Sequence, residues 1–352
     1  MGSSSPDLVE DRRRAYVDGL TPFFHAVASV EELDEAGVDE YGTPRVLARE
    51  LLGRRIVVAR LRDGVVAMDA TCPHRGADLG LGWVSDAADA VVCRYHGFEW
   101  GGDGAVCRIP ALEAAGHSLP AGSGWRVETF PVVVRYGLVW VCLAAEPALP
   151  VVDLPQAEDD GFLALPQPTE TWQATCGRMV EASLDTYHFA FAHRTSIGDP
   201  SLPAAPTATV VPSDSAYCIE YDIVQPAAEA VTYASSSDET VVSHYRFAVQ
   251  PSVVTMTKST GDVAFAALLA LHPRSVDETT VYRRIYPHRG WDVDLDAFQQ
   301  MQAQVFAEDR LVVESQRPWE LATDLDEELH ALMDRPTVGY RRWLSSLGVA
   351  FS

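Results

Sequence analysis

The chain has 352 residues, 47% of them hydrophobic and 22% charged, with a formal net charge of −23. That composition belongs to a folded globular protein and gives length for two domains or one large one. The acidity argues against nucleic acid or an anionic membrane surface as partner, since both repel it.

In chain order, residues 1–40 read as an N-terminal helical segment that packs on the later domain. The charged stretch Asp7–Arg14 has no apolar run behind it, so no secretory leader is expected. Nor does any stretch reach the ~20 apolar residues of a membrane helix. A cytoplasmic protein with no membrane partner is expected. Residues 41–150 read as a β-rich domain. Arg55–Arg60 and Val65–Met68 flank Asp63-Gly64, a hairpin signal, and short strands are expected at Ala90–Cys93, Phe98–Trp100, Trp125–Val134 and Leu138–Leu143. Prolines 147, 150, 155, 166 and 168 then mark a boundary.

Residues 151–352 are mixed. The pattern predicts a helix over Gly177–His193 and an antiparallel sheet from Cys218–Val224, Val241–Val249, Val253–Lys258, Val263–Leu271 and Thr279–Ile285. A long helix follows from about Leu295 to Gln316, with further helical turns to the end. The expected class is α+β.

Six cysteines in such a chain, two paired with histidines at ligand spacing, indicate metal chemistry rather than a disulfide framework. Cys107, Cys142, Cys176 and Cys218 lack such neighbours and read as small buried hydrophobes. Lys258 is the only lysine and there is no asparagine, a bias that fits a GC-rich genome.

Cys72-Pro73-His74-Arg75-Gly76 is followed by Cys93-Arg94-Tyr95-His96-Gly97, with eighteen residues between His74 and Cys93. Each half offers one thiolate and one imidazole from a loop, the set a Rieske [2Fe–2S] cluster needs: two cysteines on one iron, two histidines on the other. A zinc site more often keeps like ligands together, as C-x2–4-C with H-x3–5-H, so the iron–sulfur reading is preferred.

The stretch Gly53–Leu143 resembles the Rieske domain of ring-hydroxylating and O-demethylating oxygenases. Its markers are the two ligand loops, Phe98 (commonly tryptophan in that family), Asp103-Gly104 and Ile109-Pro110. The resemblance implies that Tyr95 supports the cluster through its hydroxyl.

Such an enzyme needs a second centre, and non-haem iron(II) sites use two histidines and a carboxylate. Asp185-x2-His188-x4-His193 offers them, again in the family's pattern. Asp185 and His188 share a helix face. His188 and His193 stand about 140° apart on an ideal helix, so they converge only if the helix ends or bulges between them. For the third ligand, Phe298, Met301, Val305, Val312 and Val313 make an apolar stripe, with Asp309 near its middle, Glu308 at its edge and Glu314 opposite. A carboxylate on a buried face is costly unless paired or metal-bound, which favours Asp309; pairing with an interior arginine is the competing reading. Glu181 should share the face of Asp185 and His188, where it would face the iron pocket, with a solvent-facing helical role as the alternative. Phe189 is a candidate pocket residue. Phe191, His244, Arg246, Met256, His272, His288 and Trp291 are open between pocket, core and surface.

The resemblance implies a β-rich Rieske domain joined to a catalytic domain of helix-grip (START-like) form, an antiparallel sheet wrapped round helices. It also implies a homotrimer in which Asp185 links His188 to a cluster histidine of a neighbouring subunit. Electrons would come from a separate ferredoxin or reductase, and O2 would hydroxylate or oxidatively demethylate an apolar aromatic or polycyclic small molecule. Cis-dihydroxylation by a dioxygenase of the same kind is the alternative. A non-catalytic Rieske electron carrier and a zinc-stabilised binding protein are the rivals from other classes.

Overall fold

The computed structural model describes residues 6–37, 45–119, 124–226, 240–260, 263–291, 294–322 and 324–349. They form two compact units, Thr21–Val151 and the described parts of Met1–Leu20 with Val152–Ser352. Helix α1 (Pro6–Leu20) therefore groups with the later residues, while the chain from Thr21 does not. The expected boundary at residue 40 moves because His25–Ser29 pairs antiparallel with Leu138–Val141. Among the described residues no helix is long and apolar enough to cross a membrane.

Thr21–Val151 is built from three small antiparallel sheets. His25–Ser29, Leu138–Val141 and Val132–Arg135 form the first; Leu47–Leu51, Arg54–Leu61, Gly64–Asp69 and Thr129–Phe130 the second; Trp83–Val84, Ala90–Val92, Glu99–Gly101 and Val106–Arg108 the third. The first hairpin closes on Leu61↔Gly64, so Arg62-Asp63 make its turn, one residue earlier than expected. Pro131 splits the strand expected over Trp125–Val134. Helix α2 (Val30–Asp34) starts on a capping box between Ser29 and Glu32, and α3 (Pro110–Ala114) on its own proline. Val57, Met68, Leu79, Val91 and Trp100 form the core, and Cys72 and Cys93 are buried within it.

The other unit is dominated by one antiparallel sheet. Its order is Leu165–Pro166, Thr279–Pro287, Val263–Pro273, Val253–Thr260, Thr240–Gln250, Tyr217–Pro226 and Thr209–Val211, with Glu170–Trp172 also on Thr279–Pro287. The five long strands match the five predicted segments, each extended by a residue or more. The short edge strands went unpredicted, being too brief for a periodicity to show. Helices α4 (Cys176–Leu184), α5 (Phe189–Ala192), α6 (Leu295–Val313) and α7 (Arg335–Ser346) complete the unit. Phe298 of α6 packs with Phe265 and Ile285 of the sheet, so α6 is the helix the sheet grips. Tyr16 of α1 fixes the start of α4, its hydroxyl accepting from the Cys176 N–H at 3.1 Å. Burial pushes the Cys176 thiol up to about 12, as suits a packing cysteine. Cys142 and Cys218 are likewise buried, but Cys107 is exposed, contrary to expectation, because its short strand holds it at the surface with Sγ donating to Glu99 O.

Candidate metal centres and substrate cavity

The two Cys-x-His and Cys-x-x-His loops have the same construction. Gly76 N donates to Cys72 O and Gly97 N to Cys93 O, both at 2.9 Å, and both glycines sit at φ +71°, where a side chain would be strained. The turns bury Cys72 and Cys93 while leaving His74 half-buried and His96 exposed. The two imidazole centroids lie 4.6 Å apart, and Phe98 stacks on His74 at 4.2 Å. Burial pushes the Cys72 thiol up, while the His74 backbone N–H pulls the other way. Trp100 Nε1 is buried without a full hydrogen bond, yet lies near enough to Cys72 to favour its thiolate. Tyr95 is 64% exposed and its ring centre lies 3.8 Å from that of His96.

In the other unit the predicted single helix over 177–193 is two helices. Asp185 takes extended backbone (φ −80°, ψ 111°) and its carboxylate accepts from the Tyr187 N–H at 2.8 Å, which ends α4. His188 and His193 then flank the single turn of α5. This break resolves the mismatch of about 140°: the Nε2 atoms of His188 and His193 are 3.1 Å apart. Asp309 Oδ1 completes the cluster, 3.1 Å from His193 Nε2 and 3.5 Å from His188 Nε2. One ligand atom from each of the three lies within 4.8 Å of the others. Burial penalises charge here, yet Asp185 and Asp309 raise the His188 imidazole to about 9. Burial also opposes ionisation of Asp309, and the two imidazoles overcome it, holding the carboxyl below its usual range.

Around this triad the structure adds two residues and reassigns one. Glu308, placed by periodicity only at the edge of the stripe, accepts from His193 Nδ1 at 2.9 Å and Ser196 Oγ at 2.6 Å, with Gln304 Nε2 on its other oxygen at 3.2 Å. It fixes the tautomer and orientation of His193, the usual task of a carboxylate behind a ligating imidazole. Gly198 lies so close to α5 that a Cβ there would sit 1.8 Å from the Phe189 carbonyl oxygen. Neither contact has a linear signal beyond the residue types. Glu181 lines the cleft that also reaches Asp185, His188 and Asp309, but both its oxygens are taken by Arg341, at 2.7 and 2.9 Å. Its carboxylate belongs to an ion network with Arg178 and Glu328. Asp185 Oδ2 is 3.7 Å from His188 Nδ1, too long for a hydrogen bond but close enough for charge to act.

The triad forms part of the wall of a cavity whose other lining is largely aromatic and apolar, with Phe189, Tyr245, Phe265, Trp291 and Met301 among its residues. Met256 also lines it, as the strand pleat requires. His244 and Arg246, one residue out of phase, are exposed and paired with Asp222 and Glu220. Phe191 is exposed, His272 is buried elsewhere, and His288 packs against Phe162.

The Rieske [2Fe-2S] domain family matches residues 24–131, and the family described as vanillate O-demethylase oxygenase C-terminal domain matches residues 172–350, just over half of the chain. Methylxanthine N1-demethylase NdmA of Pseudomonas putida is 29% identical, over 97% of this chain and 91% of its own. A vanillate O-demethylase oxygenase subunit of a Pseudomonas species is 30% identical over 50% of this chain and 48% of its own. The structure of Pseudomonas putida NdmA with caffeine superposes with a TM-score of 0.76 at 27% identity, covering 94% of this chain and 92% of that one. The donor sets suit the groups this family carries: buried thiols beside two imidazoles for a cluster, and two imidazoles with a carboxylate for one iron. The chain belongs to the Rieske non-haem iron oxygenases with a vanillate O-demethylase-type C-terminal domain, oxidoreductases that carry a [2Fe–2S] cluster and a mononuclear iron.

Proposed function

We propose that Cys72, His74, Cys93 and His96 hold the cluster, that His188, His193 and Asp309 hold the mononuclear iron, and that the enzyme oxidatively demethylates or hydroxylates a flat, largely apolar aromatic molecule. The observation that carries this reading is the convergence of the triad on the wall of the aromatic cavity. When bound, the cluster delivers single electrons and the iron activates O2. Phe189 sets its ring 4.8 Å from that of His188, so a planar substrate meets an apolar surface beside the triad. Glu308 keeps the His193 Nδ1 proton directed away from the centre, leaving Nε2 as the donor atom. Asp185 orients His188, and its carboxylate is 37% exposed, leaving room for a second imidazole. In this reading that imidazole is a cluster histidine of a neighbouring copy in a homotrimer. A separate ferredoxin or reductase supplies the electrons, in a cytoplasmic setting.

The reactions named for NdmA and the vanillate enzyme, N- and O-demethylation, favour demethylation over cis-dihydroxylation here. The test is substrate-dependent O2 uptake with formaldehyde release, measured with a surrogate reductase on a panel of N-methyl and O-methyl aromatics. The reading expects O2 uptake with either formaldehyde or a monohydroxylated product for at least one member, and neither in Asp309→Ala. Uptake that persists in Asp309→Ala, or cis-diols in place of formaldehyde, would overturn it.

A further inference from the structure

A second cavity adjoins the first within the same unit. Met256, Gln302 and Asp309 line both, while Trp172, Leu269, Phe306 and Arg283 line the second and not the first. Among the described residues Arg283 and Asp309 are the charged members of its wall. Arg283 stands mid-strand on Thr279–Pro287, where Val281, Arg283 and Ile285 alternate onto one face. That face meets α6: Ile285 packs with Phe298, and Arg283 Nη1 donates to the Gln302 carbonyl at 2.7 Å. The guanidinium also lies over the Phe306 ring, 4.2 Å from its centre.

These contacts hold the group but leave most of its donors, and its charge, unanswered. A guanidinium carries five N–H donors. The Gln302 carbonyl takes one, and Nε is buried with no acceptor among the described residues. The residue is only 9% exposed. Burial draws its pKa down to about 10, which still leaves a cation at neutral pH. Two carboxylates act on it by charge, and each is engaged elsewhere: Glu170 by Arg310 at 3.3 Å, Asp309 by both imidazoles. Arginine is almost never this buried without a counter-charge.

Resting on the oxygenase reading above, we propose that Arg283 is a specificity-determining residue that selects aromatic substrates bearing an oxyanion, such as a ring carboxylate, held in this second cavity. The substrate then brings the counter-charge that the fold does not. Guanidinium and carboxylate match in shape as well as in sign, and their hydrogen bonds are roughly twice as strong as neutral ones. Trp172 and Phe306 offer apolar surface to the ring, and Asp309, on the wall of both cavities, marks where the triad stands. An oxyanion anchored at Arg283 therefore turns the opposite edge of the ring toward the triad.

The test is anaerobic calorimetric binding to the iron-loaded enzyme, without reductase, of matched pairs: benzoate and benzamide, 3-methoxybenzoate and 3-methoxybenzamide, 2-naphthoate and 2-naphthamide. The wild type should prefer the carboxylate by about tenfold to a hundredfold in at least one pair. Arg283→Gln keeps a donor for the Gln302 carbonyl but no charge, and should lose that preference. Arg283→Lys keeps the charge and should retain part of it. Because the readout is a ratio of two ligands on one protein, a general loss of packing does not mimic it. A wild type that takes amides as well as carboxylates, or takes neither, overturns the assignment. So does a preference that survives in Arg283→Gln, which would seat the carboxylate on the iron or elsewhere, and so does equal behaviour of the Gln and Lys variants, the mark of a residue that only clamps α6. Carboxylate preference that depends on Arg283, without O2 uptake once a reductase is added, would instead sink the oxygenase reading and leave the anion site standing.

Discussion

Replacing Glu308 tests how the site is held together without touching a proposed ligand. His193 is 1% exposed, so its Nδ1–H has no water to turn to when its acceptor is removed. Glu308→Gln keeps an oxygen that can accept that proton but loses the charge. The difference between a charged and a neutral hydrogen bond is about 1–1.5 kcal/mol, or roughly tenfold in iron affinity. Glu308→Ala also strands the His193 donor and releases Ser196, bringing the cost to about 2–3 kcal/mol, close to a hundredfold. Anaerobic competition with a graded iron(II) chelator measures this directly, with the cluster absorbance as an internal control. Mononuclear iron retained by Glu308→Ala at the wild-type chelator midpoint would refute the reasoning.

Three further outcomes follow from the same region. Gly198→Ala should push α5 off its place, since the new Cβ would meet the Phe189 carbonyl at 1.8 Å; about 1–3 kcal/mol of stability and much of the mononuclear iron should be lost, and melting with metal analysis would show an unaffected protein if the contact is unimportant. Glu181→Gln should destabilise the fold by about 3 kcal/mol through its buried partner Arg341, while leaving O2 uptake per bound iron unchanged; the reverse pattern in melting and turnover would return Glu181 to the iron pocket. Glu328 is partly buried, which opposes its ionisation, but Arg178 and Arg341 hold its carboxyl below the ordinary value. A depressed carboxyl stabilises the fold above its ordinary pKa and loses that contribution as pH falls through the folded value. The melting temperature should therefore fall less steeply below about pH 4.5 in Glu328→Gln than in the wild type; equal slopes would contradict this.

Much of the candidate site was legible because it is local. Cys72, His74, Cys93 and His96 sit on two turns whose glycines and spacing declare themselves, and His188 and His193 share one. Asp309 needed the long-range inference that a carboxylate on an apolar stripe has a buried partner, and the structure places it against both histidines. The stripe itself was drawn imperfectly: Val312 is exposed and Phe306 takes the buried position. The break after Leu184 was foreseen as a requirement but not located, because it depends on Asp185 capping its own turn. Glu181 was read from helix phase alone, and no phase argument can see Arg341, 160 residues later. Glu308 and Gly198 share that limit: each is defined by what the fold brings opposite it.

The central claim is that two separate metal centres lie in one chain, and iron with acid-labile sulfide per chain tests it most directly. The reconstituted wild type should hold about three irons and two sulfides, and Asp309→Ala about two of each with the visible spectrum of the cluster unchanged. Three irons retained in Asp309→Ala, or zinc without sulfide in the wild type, would contradict the account.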